Sequence, residues 1–264
     1  MTGQEFLASL SPIAQRIMSI YKFKEEKPIA LHITDNTEKP CFMVNDNPNC
    51  YPLYINPDAL GPMAEKMFMH EYCHCIQIEE KFPYLMSKDP DDPLVVQLVH
   101  VINSLVLDMF VNHVLTDNGY PKDINSLEKL CTELHFRFRY FKENNMKITA
   151  DDQIYAEYIY AAQIARVYME LDSKHARALQ KEVATFSKET KLYAGIFINT
   201  IKAYPYDTHI GCHYIFDHLI DELKLSDVIE INHREEEDEA EAAAANESTP
   251  DNVIPFKKET DETE

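Results

Sequence analysis

From Leu94 to Leu115 the chain is almost unbroken Val, Leu, Ile, Met and Phe, yet the polar residues within the run are not scattered. At roughly 100° per residue around a helix, Gln97, His100, Ser104, Asp108 and Asn112 fall within an arc of about 120°, a polar stripe on an otherwise apolar cylinder. A helix whose other positions are almost all apolar belongs in an interior. The fold must therefore enclose it and also provide partners for the stripe, because buried polar groups without them are costly. The stripe's polarity, together with His113 on another side, argues against a lipid-facing span, so no membrane partner is expected.

Residues 70 to 74 read His-Glu-Tyr-Cys-His, inside MAEKMFMHEYCHCIQIEEK. These are helix formers that follow the turn signal Asn56-Pro57-Asp58, with Pro62 at a first turn. Histidines four apart on a helix project from one face, so His70 and His74 can reach one ion. Glu71, next to the first, is placed to act as general base on a metal-activated water. A catalytic zinc takes three protein ligands, and the stripe offers the third. Asp108, near its middle, leads, and His100 is the alternative metal ligand. Zn²⁺ is the expected cofactor. Cys73 and Cys75 flank His74 but read as small packing residues, and six cysteines without a CxxC pair fit a reduced compartment. His209 and His213 form a second pair four apart with no acid between them, which reads as packing or surface.

The net charge is −20, with −9 after His233 and −11 before it, so both parts repel a phosphate backbone. No nucleic-acid partner is expected, and cationic substrates are weakly favoured. Five glycines leave no phosphate loop and no GxSxG elbow, which removes nucleotide-binding and serine-hydrolase readings. The first residues, MTGQEFLASLSPIAQRIM, lack a basic leader and a cleavage site, so the expected location is cytoplasmic.

Along the chain, residues 1 to 20 predict a helix broken at Ser11-Pro12, and 29 to 34, 41 to 44 and 51 to 55 predict three short strands. Residues 82 to 93 (FPYLMSKDPDDP) read as a loop. Helices are predicted over 94 to 115, 125 to 142, 150 to 172 with a capped start at Thr149 to Asp152, roughly 174 to 203, and 210 to 225. From Arg234 the composition is acidic and alanine-rich, expected to be a disordered tail over 234 to 264. In it, Val253-Ile254-Pro255-Phe256 is a candidate docking motif for a partner.

HEYCH on one helix and LDMFVNHVL on the next resemble the zincin metallopeptidases. More narrowly, Asp-x-x-Val-Asn-x-x-Leu is similar to a helix of bacterial metallopeptidases related to von Willebrand factor A-type proteins. The resemblance covers about residues 50 to 116 and departs from the better-known gluzincin pattern in having Asp rather than Glu. It implies His70, His74 and Asp108 as zinc ligands, Glu71 as general base and Asn112 supporting the ligands; Ser104, on the same stripe, is expected to support them as well. It also implies an oxyanion donor, for which His209, His213 and Tyr214 are candidates that spacing does not separate.

The expectation is an α+β, mostly helical fold: a small β-sheet, a zincin-like active-site helix, a buried second helix and a helical C-terminal half. The domain spans 1 to 233, with a motif core over about 50 to 116 and a helical subdomain over about 121 to 233. The expected function is zinc-dependent hydrolysis of peptide bonds in a peptide or protein substrate. The alternatives are a non-catalytic helical binding or regulatory protein that keeps a zincin-like frame, and a metal-dependent hydrolase of a non-peptide bond.

Overall fold

A computed structural model describes residues 2–21, 27–44, 47, 49–148 and 154–232. The acidic tail with its Val253-Ile254-Pro255-Phe256 motif and the helix start at 149–152 lie outside the described residues. The fold is α+β and mostly helical. It divides into two compact units: the first comprises residues up to Lys81 with Val114–Tyr120, and the second Phe82–His113 with the chain from Pro121 onward.

In the first unit, helices α1 (Gly3–Ala8) and α2 (Pro12–Ile20) are separated at the predicted break. Thr2 and Glu5 close a capping box on α1, and the Ser11 hydroxyl caps α2, whose Pro12 has no N–H to leave unsatisfied. Strands β1 (Ile29–Ile33), β2 (Cys41–Met43) and β3 (Tyr51–Ile55) form a sheet in the order β1-β3-β2. Leu31 lies opposite Leu53 in a parallel pair, and Phe42 opposite Tyr54 in an antiparallel one.

After α3 (Pro57–Leu60), Gly61 takes φ +52° and ψ −127°, a conformation that a side chain would oppose, and a 3-10 turn leads into α4 (Ala64–Glu79). Helix α4 packs on β2 and β3. It buries Phe68, Tyr72, Cys75, Ile76 and Glu79, spaced as one helical face. Phe6 meets Phe68 edge-on at 5.4 Å, and the Tyr51 hydroxyl donates to Glu79 at 2.5 Å. Glu65, in the first turn of α4, accepts from the Ser11 N–H, the Ser11 hydroxyl and the Tyr120 hydroxyl at 2.5–2.7 Å. One carboxylate therefore ties three distant chain positions together.

The second unit contains strand β4 (Tyr84–Ser87), which pairs antiparallel with β5 (Ile229–Asn232). This corrects the loop expected over 82 to 93, part of which is a strand whose partner is remote in sequence. Helix α5 (Pro93–Asp117) crosses the boundary between the units, beginning in the second and ending in the first. Its start is held by Asp92, whose carboxylate accepts from the Leu94 and Val95 N–H groups. Among the described residues it is the one helix long and apolar enough to cross a membrane, with a mean hydropathy of 2.0 over its most apolar stretch, and 56% of that stretch is buried within the protein.

Then follow α6 (Ile124–Glu143), α7 (Ile154–Arg166), a π-helical turn (Val167–Leu171), α8 (Ser173–Val183), α9 (Lys188–Ala203) and α10 (His209–Leu223). The single helix expected over roughly 174 to 203 is thus two, because Ser187 leaves helical geometry and caps α9 by accepting from the Thr190 N–H. Helix α7 packs along α9, α6 along α8, and α10 against α9 and β5, around the fully buried Phe138, Phe197 and Phe216. Gly211, in the first turn of α10, lies so close to Pro205 that a Cβ would sit 1.7 Å from its carbonyl oxygen.

Candidate metal centre

Helix α4 divides its surface between packing and chemistry. Phe68, Met69, Tyr72, Cys73 and Ile76 are buried, whereas His70, Glu71 and His74 are only half-buried. The four-residue spacing stacks the two imidazoles on one face, with centroids 4.8 Å apart and Nε2 to Nε2 at 3.1 Å. Nδ1 of His74 is 2.8 Å from Oε1 of Gln77, a residue buried one turn further along.

The His70, His74 and Asp108 side chains form a group that could hold a metal ion: one ligand atom from each lies within 4.8 Å of the others. Zinc bonds of about 2.0 to 2.2 Å in tetrahedral directions place ligand atoms about 3.4 Å from one another. The imidazole pair, at 3.1 Å, is already near that separation. Two nitrogens and a carboxylate oxygen are a donor set suited to a divalent metal ion. His100 is exposed and is not in this group.

The neighbouring thiols of Cys73 and Cys75 are not in this group. Burial pushes Cys73 up to about 12 and Cys75 higher still, so both remain thiols at neutral pH. Glu71 makes itself felt at the sheet. Burial, and after it the charge of Glu71, push the Cys41 thiol on β2 up to about 12.

The polar stripe of α5 meets partners that the sequence reading did not name. The Ser104 hydroxyl donates to Oδ2 of Asp108 at 2.6 Å. Arg166, the last residue of α7, donates through Nη1 to Ser104 at 2.9 Å and through Nη2 to Oδ2 of Asp108 at 3.3 Å. Its Nε pairs with Oε1 of Glu170 at 3.1 Å, and Oε2 of Glu170 accepts from the Asn112 amide at 3.1 Å. Ser104, Asp108 and Asn112 thus meet Arg166 and Glu170 as two ladders of residues four apart. Burial raises the Glu170 carboxyl above its ordinary range, Arg166 pulls it back, and the charge of Asp108 adds to the rise.

Arg166 and Glu170 stand out in the sequence, although nothing there pairs them with α5. In the apolar, aromatic run from Ile154 to Leu171 they and Glu157 are the only charged residues. Of the oxyanion candidates, His209 is exposed, His213 is half-buried, and Tyr214 is exposed and lies against Tyr204. No protein-family model matches the chain, and no curated protein and no solved structure matches it either.

Proposed function

We propose that the chain is a zinc-dependent peptidase of the zincin kind, acting on a peptide or protein substrate. The observation that carries this reading is the convergence of the HExxH histidines with Asp108, all three ligand atoms lying within 4.8 Å of one another. His70, His74 and Asp108 would hold the ion. Bound there, zinc supplies the acidity that deprotonates water near neutral pH and the polarisation of a scissile carbonyl. Glu71 takes the proton of the attacking water and hands it to the leaving amine, a role that requires its carboxylate beside the ligands rather than among them. The presence of that acid between the histidines favours catalysis over a structural zinc, which takes four closed ligands and no base.

The test is elemental analysis of protein purified without chelator, followed by peptide cleavage. About one zinc per chain is expected, lost in His70→Ala and in Asp108→Ala. Glu71→Gln is expected to keep the metal and lose hydrolysis. A metal-free wild-type protein, or full activity in Glu71→Gln, would overturn the proposal. Cleavage confined to non-peptide bonds would overturn the substrate assignment.

A further inference from the structure

We propose that Arg166 is a positioning residue for the metal centre, aiming the Asp108 carboxylate through a two-pronged contact and itself held in aim by Glu170. The inference rests on the metal-binding reading above and concerns how the third ligand is kept in place.

A ligand aspartate on a helix has two side-chain torsions to fix, and a carboxylate free to rotate offers its oxygens to an ion only part of the time. Here two donors reach the same atom. Oδ2 of Asp108 receives the Ser104 hydroxyl at 2.6 Å and Nη2 of Arg166 at 3.3 Å. Two donors converging from different elements fix the carboxylate about its Cβ–Cγ bond, and with it the direction of the other oxygen. The second prong, Nη1 of Arg166 to the Ser104 hydroxyl at 2.9 Å, sets which way that hydroxyl points, because an oxygen accepting from Arg166 must donate elsewhere. A planar guanidinium can make both contacts at once, and an ammonium group cannot reproduce that fork.

The guanidinium is itself constrained. Its Nε lies 3.1 Å from Oε1 of Glu170, an ion pair without hydrogen-bond alignment, and Glu170 is buried and bonded to Asn112, one turn beyond Asp108 on α5. Glu170 lies in the π-helical turn Val167–Leu171, closed by the Asp172 N–H donating to the Val167 carbonyl at 3.1 Å. A wider turn of this kind inserts an extra residue and re-aims the side chains it carries. The contacts run from α5 to Arg166, on to Glu170 and back to α5, so each member is restrained by the next.

A general electrostatic role would be met by any cation, whereas positioning requires the fork. The experiment therefore titrates Co²⁺, which reports its coordination through visible absorption, into wild-type protein, Arg166→Lys and the charge-neutral double variant Arg166→Met/Glu170→Gln. We expect wild-type protein to bind with a tetrahedral-type spectrum, and both variants to bind about 10- to 100-fold more weakly with an altered spectrum. Far-UV circular dichroism should be unchanged. Arg166→Lys keeps the charge and is the milder change, so it decides the matter if the double variant does not fold. Wild-type affinity and spectrum in Arg166→Lys would overturn the inference while leaving the metal centre intact. No Co²⁺ binding by wild-type protein would overturn the metal reading, and this inference with it.

Discussion

The side-chain oxygen of Gln77 faces Nδ1 of His74 at 2.8 Å. An amide oxygen can only accept, so Nδ1 carries the proton and the ring presents the lone pair of Nε2, the atom that faces His70. A buried neighbour thus selects the tautomer a metal needs. Gln77→Leu, which keeps the volume and removes the acceptor, is expected to lower zinc affinity by about 10- to 100-fold with the helical signal preserved. Competition against a chromophoric chelator measures it, and an unchanged affinity would show that Gln77 does not set the ring.

Glu65 gives the first unit a dependence on acid. Burial pushes its carboxyl up, but the hydrogen bonds from the Ser11 and Tyr120 side chains and the Ser11 N–H together outweigh it and hold the group below its ordinary value of 4.5. A carboxyl lowered by folding stabilises the folded state fully above its unfolded value and loses that contribution as pH falls through the folded one. Denaturation of wild-type protein and Glu65→Gln across a pH series should therefore show a stability gap at neutral pH that closes below about 4.5. A gap of constant size would contradict the assignment.

Gly211→Ala is expected to destabilise the protein by about 1–3 kcal/mol or more, since α10 or the Pro205 segment must shift to admit the methyl group. Thermal melting measures it. A wild-type melting temperature would mean that the segment before α10 moves at no cost.

Asn103 is expected to matter more than a polar residue on an apolar helix ordinarily would. Its amide accepts from the Leu85 N–H at 2.8 Å and donates to the Leu85 carbonyl at 2.9 Å, pairing with β4 as a strand would. Asn103→Ala leaves both groups without that partner and should cost about 1–3 kcal/mol in urea denaturation. A loss within the error of the measurement would show that water replaces the amide.

The elements that carry the candidate site were legible because their signals are local. The run of helix formers after Asn56-Pro57-Asp58 placed the HExxH helix, although Pro62 lies in the 3-10 turn before α4 and not in its first turn, and the arc of Ser104, Asp108 and Asn112 on an apolar helix announced a polar seam that is half-buried. What that seam touches was not legible. The demand for partners pointed to a metal, whereas Arg166 and Glu170 also answer it from a helix more than fifty positions away, and no local pattern encodes that pairing. Strand β4 was hidden for the same reason. Four residues between Pro83 and a cluster of acids and prolines look like a loop until β5 is found opposite them. The break between α8 and α9 was missed because Ala184-Thr185-Phe186 contains neither glycine nor proline, so its only mark is the cap at Ser187.

The pairing of β4 with β5 also sets an order of events during synthesis. Ser87 leaves the ribosome 142 residues ahead of its partner Ile229, which at about 5–20 residues per second is roughly 7 to 28 s. Throughout that interval β4 is a strand with no strand to pair with, the state in which nascent chains adhere to one another. Asn103 emerges within the first few seconds and can occupy one edge of it. The amide that pairs with Leu85 in the folded protein is thus within reach of β4 long before Ile229 is made.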